Sequence, residues 1–442
     1  MAIKVAIIGA GSIGFTRMLM KDILSVPELL ETTFAFTDIN KNNLDGITQL
    51  ARRDIKANKV PAKILPTTNR KRALEGADYV IVTIQVGGSR LREIDMEIAA
   101  KYGVSGAIGD TIGPSGVFYG SRHIPVILDI CHDMEELCPD AWLINYTNSV
   151  AMLCWAINDY TRIKNVGLCH SVQGTSRDLA TYLGVPHDEI TYWVAGINHM
   201  AWFLELKWCG EDAYPLLREK FKDPEIYSRP DAHWAGADNV RVEIFKAFGY
   251  FNTESSQHMS EYVPYFRKRP ELLERFNLVD RTGLMRTFER IEKRRREQDE
   301  ELKQPISSGQ KSPINHSGEY GSIIIHSIET GIPSRINGNV KNNSLITNLL
   351  EGCCVEVPCL IDKTGISPCH VGDLPPQCAA LNRTNINLQE LAVKGIVEKD
   401  KAKIFQSILL DPLTSAILTI DETRLMVDEM FQAGTKYLKG FK

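Results

Sequence analysis

No stretch of the 442-residue chain approaches the roughly 20 consecutive apolar residues that a membrane-spanning helix needs, which excludes a bundle of such helices. Charge of one sign is equally scarce. Fifty-one basic against 55 acidic residues leave a formal net charge of −4, so there is no electrostatic reason to expect nucleic acid or an acidic membrane as partner. Internal repeats and low-complexity tails are missing, which sets aside repeat architectures and disordered arms. The 10 cysteines lack the spacing of a zinc finger or of a small disulfide framework, and adjacent Cys353 and Cys354 are poorly suited to a simple bridge. They read as buried small hydrophobes or ligands in a reducing compartment. The N-terminal MAIKVAIIGAG enters a strand pattern without a cleavable leader, so a cytoplasmic protein with a small-molecule ligand is expected.

What is present is ordinary for a globular protein: 43% hydrophobic and 24% charged residues. The length suits two packed domains or one domain with a large extension, with domains expected at 1–200 and 201–442. Residues 3–8 (IKVAII) form a short apolar run, followed at once by Gly9-Ala10-Gly11-Ser12-Ile13-Gly14 and then by FTRMLMKDILS with helical spacing. Strand, glycine turn and helix in this order make a dinucleotide-binding fingerprint: Gly9 permits the tight turn, Gly11 lets a pyrophosphate approach the backbone, and Gly14 lets helix and strand pack closely. The second strand, Thr33 to Thr37, ends in Asp38, placed to accept hydrogen bonds from an adenosine ribose and so to favour NAD over NADP. A cap for the helix beginning near Asn42 is the plainer use of that carboxylate.

The alternation of strand and helix continues, with helices expected at 41–57, 70–75, 90–101, 117–137, 150–160 and 174–183. Strands are expected at 79–84, 141–146 and 191–197. This is a Rossmann-like, doubly wound parallel sheet of the lactate/malate dehydrogenase type, with a mixed α+β C-terminal domain. Ligand loops of such a sheet lie at the carboxyl ends of the strands. There the sequence offers Arg92 on its helix, the glycine-dense loop Ala107 to Gly116 with Asp110, and Asn148 after the strand at 141–146. It also offers the stretch KNVGLCHS at 164–171. Cys169 and His170 close one strand, His199 closes another, and a thiol and an imidazole on one rim could hold a metal whose other positions take water and substrate oxygens. Two unrelated buried polar residues are the alternative. Beyond 210 the rhythm fades: 214–300 reads largely helical, Arg286 to Lys303 as a solvated charged helix, and 304–318 as a loop or lid. Asn337 to Asn343 reads as a turn-rich segment, Cys354 to Ile361 as a strand, and Asn387 onward as helical.

The motifs GAGSIG, GDTIGPSG, GLCHSVQG, GINHMAWF, TESSQHMSEYVPYF, NGNV and GCCVEVPCL, in this order along nearly the whole chain, resemble family 4 glycoside hydrolases, and within them the α-galactosidase branch. The resemblance implies hydrolysis of α-galactosides such as melibiose with NAD⁺ and a divalent metal, usually Mn²⁺. It implies a hydride taken from sugar C3, removal of the C2 proton, elimination of the C1 oxygen, addition of water and return of the hydride. The two-carboxylate scheme of most glycosidases does not apply to this family. Carried over residue by residue, Cys169 and His199 are metal ligands, Asn148 and Arg92 substrate contacts, and His170 the general acid. Tyr262 is the base with His258 its rival, Asp110 tunes that base, and Ser171-Val172 form a substrate-selecting turn. Gly9, Gly11, Ser12, Ile13, Gly14 and Asp38 hold NAD. The resemblance makes 1–200 the NAD domain and 201–442 the substrate-binding and oligomerisation domain of a homodimer or homotetramer.

Two departures bear on substrate and metal. Asn148-Ser149 stands where many members have Asn-Pro, and Arg92 matches an arginine of the phosphosugar enzymes. A thiolate is softer than Mn²⁺ prefers, so other divalent metals compete. The same mechanism on α-glucosides or α-galacturonides, a 2-hydroxyacid dehydrogenase with net redox, and a non-catalytic NAD sensor are the alternatives.

Overall fold

The computed structural model describes residues 2–233, 235–280, 282–286, 288–290, 293, 297 and 313–442. Its N-terminal part alternates β1 (Lys4–Ile8), α1 (Ile13–Leu24), β2 (Thr33–Thr37), α2 (Lys41–Asn58), β3 (Lys63–Thr67), α3 (Arg70–Leu74), β4 (Tyr79–Val82), α4 (Gly88–Lys101) and α5 (Gly113–Leu137). It continues with β5 (Trp142–Asn145), α6 (Val150–Tyr160), β6 (Asn165–Gly167) and α7 (Ser171–Leu183). Val5, Ala6 and Ile7, like Val80, Ile81 and Val82, are fully buried, as strands covered by helices on both faces must be. Helix α1 turns Leu19, Met20 and Ile23 inward at helical spacing.

Strands β1 to β6 are parallel in the order β3-β2-β1-β4-β5-β6, which is the doubly wound order. The sheet then continues antiparallel through β10 (Ser334–Lys341), β11 (Cys354–Asp362), β7 (Ile190–Ile197), β8 (Met200–Trp208) and β9 (Glu211–Asp212). The last strand, β12 (Gly365–Pro368), pairs with β11. Among the described residues all twelve strands belong to this one sheet, and no helix is long and apolar enough to cross a membrane.

A single rung of the ladder ties the parallel half of the sheet to the antiparallel half. Gly167 pairs with Asn339, Asn339 with Glu356 and Glu356 with Gly196, so the end of β6 and the end of β7 lie on one line across four strands. Strand β7 runs against β6, yet their carboxyl ends meet, because β10 and β11 are long and pair with each at a single level.

Several expectations need correction. Helix α7 begins at Ser171, three residues early, and Ser171 and Val172 are buried in its first turn, not set in a substrate-selecting turn. Gly113 to Gly116 open α5 and are not loop. Asn337 to Val340 lie inside β10, since the polar amides there bond to neighbouring strands: Asn337 Nδ2 donates to the Val194 carbonyl at 2.9 Å and Asn339 Nδ2 to that of Gly167 at 3.2 Å. The stretch after 214 is built from short helices (Tyr214–Lys220, Asn239–Phe248, Ser256–Met259, Pro270–Arg275) joined by turns. The C-terminal helices start at Pro376, before Asn387. Most of the charged run from Arg286 to Lys303, and 304–312 of the expected lid, lie outside the described residues.

Candidate active site

The glycine turn sits where β1 meets α1. Gly9 has φ +87°, and a Cβ there would come within 2.5 Å of the Thr83 carbonyl oxygen, so only glycine fits. Gly11 donates its N–H to Asp38 Oδ2 at 2.8 Å, and a Cβ on Gly11 would strike that same oxygen. Gly14 has open space on its Cβ side, so the close helix–strand packing expected of it is not what this structure requires of it. Ser12 caps α1 without a side-chain hydrogen bond, and Ile13 begins the helix, which leaves the first-turn N–H groups to an anion. Asp38 is not the cap of α2: that is Asn40, whose side chain accepts from Asn42 N and Asn43 N. Asp38 Oδ1 accepts instead from Asn40 N at 2.7 Å.

Cys169 and His199 follow the two glycine ends of the four-strand rung, and the fold brings them together. Cys169 Sγ lies 3.1 Å from His199 Nε2. Glu254 Oε2 lies 3.7 Å from the same nitrogen, and the three donor atoms fall within 4.8 Å of one another. His199 and Glu254 both adopt left-handed backbone conformations, φ +65° and +76°, at the bends that aim them inward.

Behind His199 runs a chain of hydrogen bonds. His199 Nδ1 is 2.6 Å from His258 Nε2, which also meets the Thr111 hydroxyl at 2.9 Å. His258 Nδ1 donates to Glu261 Oε2 at 2.6 Å, and Glu261 Oε1 accepts from Ile108 N at 2.9 Å and from Ala107 N. With Nδ1–H of His258 given to the carboxylate, its Nε2 accepts from His199 Nδ1–H. The network thus assigns His199 the tautomer whose Nε2 lone pair faces Cys169 and Glu254. This is the arrangement a metal-ligating histidine requires.

The electrostatics fit a cation. Burial pushes the Cys169 thiol up to about 12, with the Glu254 carboxylate adding to it, so ionisation there needs a positive charge close by. Burial works against an ionised Glu254, but His199, His258 and Arg241 together hold it below the usual range. Glu356, on the rung itself, is fully buried with neither side-chain oxygen hydrogen-bonded. Burial, Cys169 and Glu254 push its pKa well up, while His199 opposes them. A sulfur, a nitrogen and a carboxylate oxygen converging beside an orphaned carboxyl are a donor set that a divalent metal would satisfy.

Tyr262 packs beside this cluster, its ring 5.4 Å from His258 and 6.4 Å from His199, and is 2% exposed. Burial raises its hydroxyl well above 10, against a lowering contact with Thr111, while the charges of Glu261, Glu254 and Asp110 raise it further. Asp110 forms a third group with both expected substrate contacts. Its Oδ2 accepts from Arg92 at 3.2 Å and its Oδ1 from Asn148 Nδ2 at 3.2 Å. His170 heads α7 and stands toward the open side, with Nε2 2.6 Å from Glu319 Oε1. That bond raises its pKa above 6.5 against the opposing effect of burial.

Sequence reading singled out the segment 253–266 but not Glu254 or Glu261 within it. Glu356 carried a usable signal, being the one acid in the apolar strand CVEVPCLI. Glu319 carried none, because its partner is 149 residues away.

Fold and rim together define a protein of the Rossmann-like class, with a three-donor cluster added where β6 and β7 end. The sequence pattern of the family 4 glycosyl hydrolases matches residues 4–185, and that of their C-terminal domain residues 194–414. The chain is 41% identical to an α-galactosidase of Bacillus subtilis, covering 99% of this chain and 100% of that one. It is 39% identical to an α-galactosidase of Rhizobium meliloti, covering 98% and 89%. A solved 6-phospho-α-glucosidase from gut microorganisms, in complex with NAD and Mn²⁺, shares the fold with a TM-score of 0.82 at 21% identity, covering 100% of both chains. The chain belongs to family 4 of the glycosyl hydrolases.

Proposed function

We propose that the chain is an α-galactosidase that hydrolyses melibiose-like α-galactosides with the help of NAD and a divalent metal, Mn²⁺ first among them. The observation that carries this reading is the convergence of Cys169, His199 and Glu254 within 4.8 Å, in a chain that is 41% and 39% identical over nearly its whole length to two α-galactosidases. On this reading Gly9, Gly11, Ser12, Ile13 and Gly14 take the pyrophosphate at the head of α1, and Asp38 the adenosine ribose. Cys169, His199 and Glu254 would hold the metal. NAD supplies a reversible hydride acceptor for sugar C3, and the metal supplies a Lewis acid for charge developing on the sugar oxygens.

The protein's own groups do the rest. Asn148 and Arg92, both tied to Asp110, orient the sugar. Tyr262 must give up its phenolic proton to act, against the burial that holds it well above 10, and as the phenolate it takes the C2 proton. His170 in its protonated form gives one to the departing oxygen. His258 serves His199, not the sugar: both its ring nitrogens are engaged, which favours Tyr262 over it as base. The pairing of Arg92 with Asp110 also argues for a neutral galactoside over a galacturonide or a phosphosugar, since the arginine's charge is already met. Residues 1–200 then form the NAD domain and 201–442 the substrate domain. All ten cysteines are free, which supports a reducing, cytoplasmic setting. A homodimer or homotetramer belongs to the same proposal, with exposed Ile420 and Leu425 as candidate contacts.

The pure protein with p-nitrophenyl α-galactoside, Mn²⁺, NAD⁺ and a thiol is expected to release nitrophenol without accumulating NADH. Release no faster than the buffer rate, with the α-glucoside and α-galacturonide equally inert, would sink the reading. Net NADH formation from a 2-hydroxy acid would replace it with a dehydrogenase.

A further inference from the structure

Glu319 stands at the head of the helix Tyr320–Thr330, and its side chain is only 9% exposed. The backbone around it is fastened on three sides. Ser317 N donates to Asp22 Oδ1 of α1 at 2.8 Å, and the Ser317 hydroxyl bonds to the other oxygen of that buried carboxyl. Gln173 Nε2 of α7 donates to the Gly318 carbonyl at 3.0 Å, and Gly321 N donates to the Tyr146 hydroxyl at 3.0 Å. The backbone that carries this carboxylate is thereby fixed at once to the glycine-turn helix, to the helix that follows Cys169, and to the loop after β5.

His170 is held quite differently. Its side chain is 60% exposed, and the rings of Phe15 and Tyr146 stand off at 6.2 Å. An imidazole so placed has several rotamers open to it, and a short charge-assisted bond to an immobile carboxylate selects one. The bond uses Nε2, at 2.6 Å from Glu319 Oε1, which leaves Nδ1 as the ring nitrogen able to meet a substrate.

We propose that Glu319 is a positioning residue for leaving-group departure: it clamps His170 through Nε2 and turns Nδ1 toward the glycosidic oxygen. This rests on the reading of His170 as the acid. As the C1–O bond breaks, its electron pair stays with the glycosidic oxygen, which takes the proton from Nδ1. The electron pair of the C2–H bond, freed when the Tyr262 phenolate takes that proton, becomes the C1–C2 double bond. The Nε2–H remains with Glu319 throughout. His170 regains its Nδ1 proton from the water whose hydroxyl later adds to C1.

The test compares melibiose, whose sugar leaving group needs a proton, with p-nitrophenyl α-galactoside, whose nitrophenolate does not. Glu319→Ala is expected to lower kcat on melibiose roughly 10²-fold more than on the nitrophenyl substrate, the scale of a misplaced catalytic group. Glu319→Gln, which keeps the shape, should shift the same ratio in the same direction by less. In a His170→Ala background, Glu319→Ala should cost nothing further on melibiose. Equal losses on the two substrates, or an added loss in the His170→Ala background, would overturn the proposal. The two failures are distinguishable. If His170→Ala itself does not separate the substrates, the acid assignment falls and the clamp with it. If His170→Ala separates them and Glu319→Ala does not, only the clamp falls.

Discussion

A half-buried thiol at 3.1 Å from a buried imidazole, with a carboxylate 3.7 Å from that same nitrogen, is an unusual concentration of donors. Its component residues suggest different roles. Glu254 completes the set on the proposed reading, so Glu254→Gln should weaken Mn²⁺ affinity by about 10- to 100-fold, the range seen when a metal site loses a supporting group. Titration of the metal by calorimetry would show it, and an unchanged affinity would remove Glu254 from the ligands. His258 and Tyr262 divide along the hydrogen-bond chain. Tyr262→Phe should reduce kcat by about 10²-fold or more with metal affinity retained, whereas His258→Gln should act first on metal affinity, through His199. If His258→Gln keeps full metal affinity but loses the C2 proton-transfer step, the two roles are reversed.

At the scale of elements, the parallel half was legible because each βα unit carries its own signals: an apolar run, a glycine turn and a helical period. The strands at Thr33–Thr37 and Tyr79–Val82 lie where periodicity places them, and Asp38, just past the first of them, accepts the Gly11 N–H of the glycine turn. The antiparallel half was not so legible. NGNVKNN reads as a turn by composition, but Asn337 and Asn339 in it spend their amides on β7 and β6, a use visible only once the strands are neighbours. Their strand ends put Cys169 and His199 on one rim but leave open whether they share a site or are two unrelated buried polar residues. The reason they meet is the rung through Asn339 and Glu356, and no local pattern encodes it. The glycine turn gives this scale its own prediction. Gly9→Ala forces a Cβ to 2.5 Å from the Thr83 carbonyl at φ +87°, so it should destabilise the protein by more than about 1 kcal/mol and weaken NAD binding. Thermal denaturation and cofactor fluorescence would check both, and an unaffected variant would mean that β1 and β4 can separate at no cost.

Taken whole, the molecule stores several carboxyl groups in its interior, and they do not all titrate alike. Asp411 is buried, with one oxygen bonded to Thr414 and the other without a partner, and burial pushes it up to about 6. It holds its proton more tightly folded than unfolded, so the stability it contributes is present below about pH 4 and fades as pH rises through about 6. Asp411→Asn should remove that slope. The stability difference between variant and parent should change by about 2–3 kcal/mol between pH 4 and pH 7 in denaturant titrations, in the variant's favour at the higher pH. A constant difference would mean that Asp411 is ionised in the fold throughout. The glycine turn, Cys169, His170 and His199 follow strand ends of the single sheet, the segment around the helix Ser256–Met259 brings Glu254 and Tyr262 to them, and on the proposed reading all act together on one sugar. The direct measurement is hydrolysis of an α-galactoside in D₂O with NAD⁺ and Mn²⁺, followed by NMR of the galactose formed. Deuterium at C2 with no net NADH is the expected result. Galactose that keeps only its original hydrogen at C2 would contradict it.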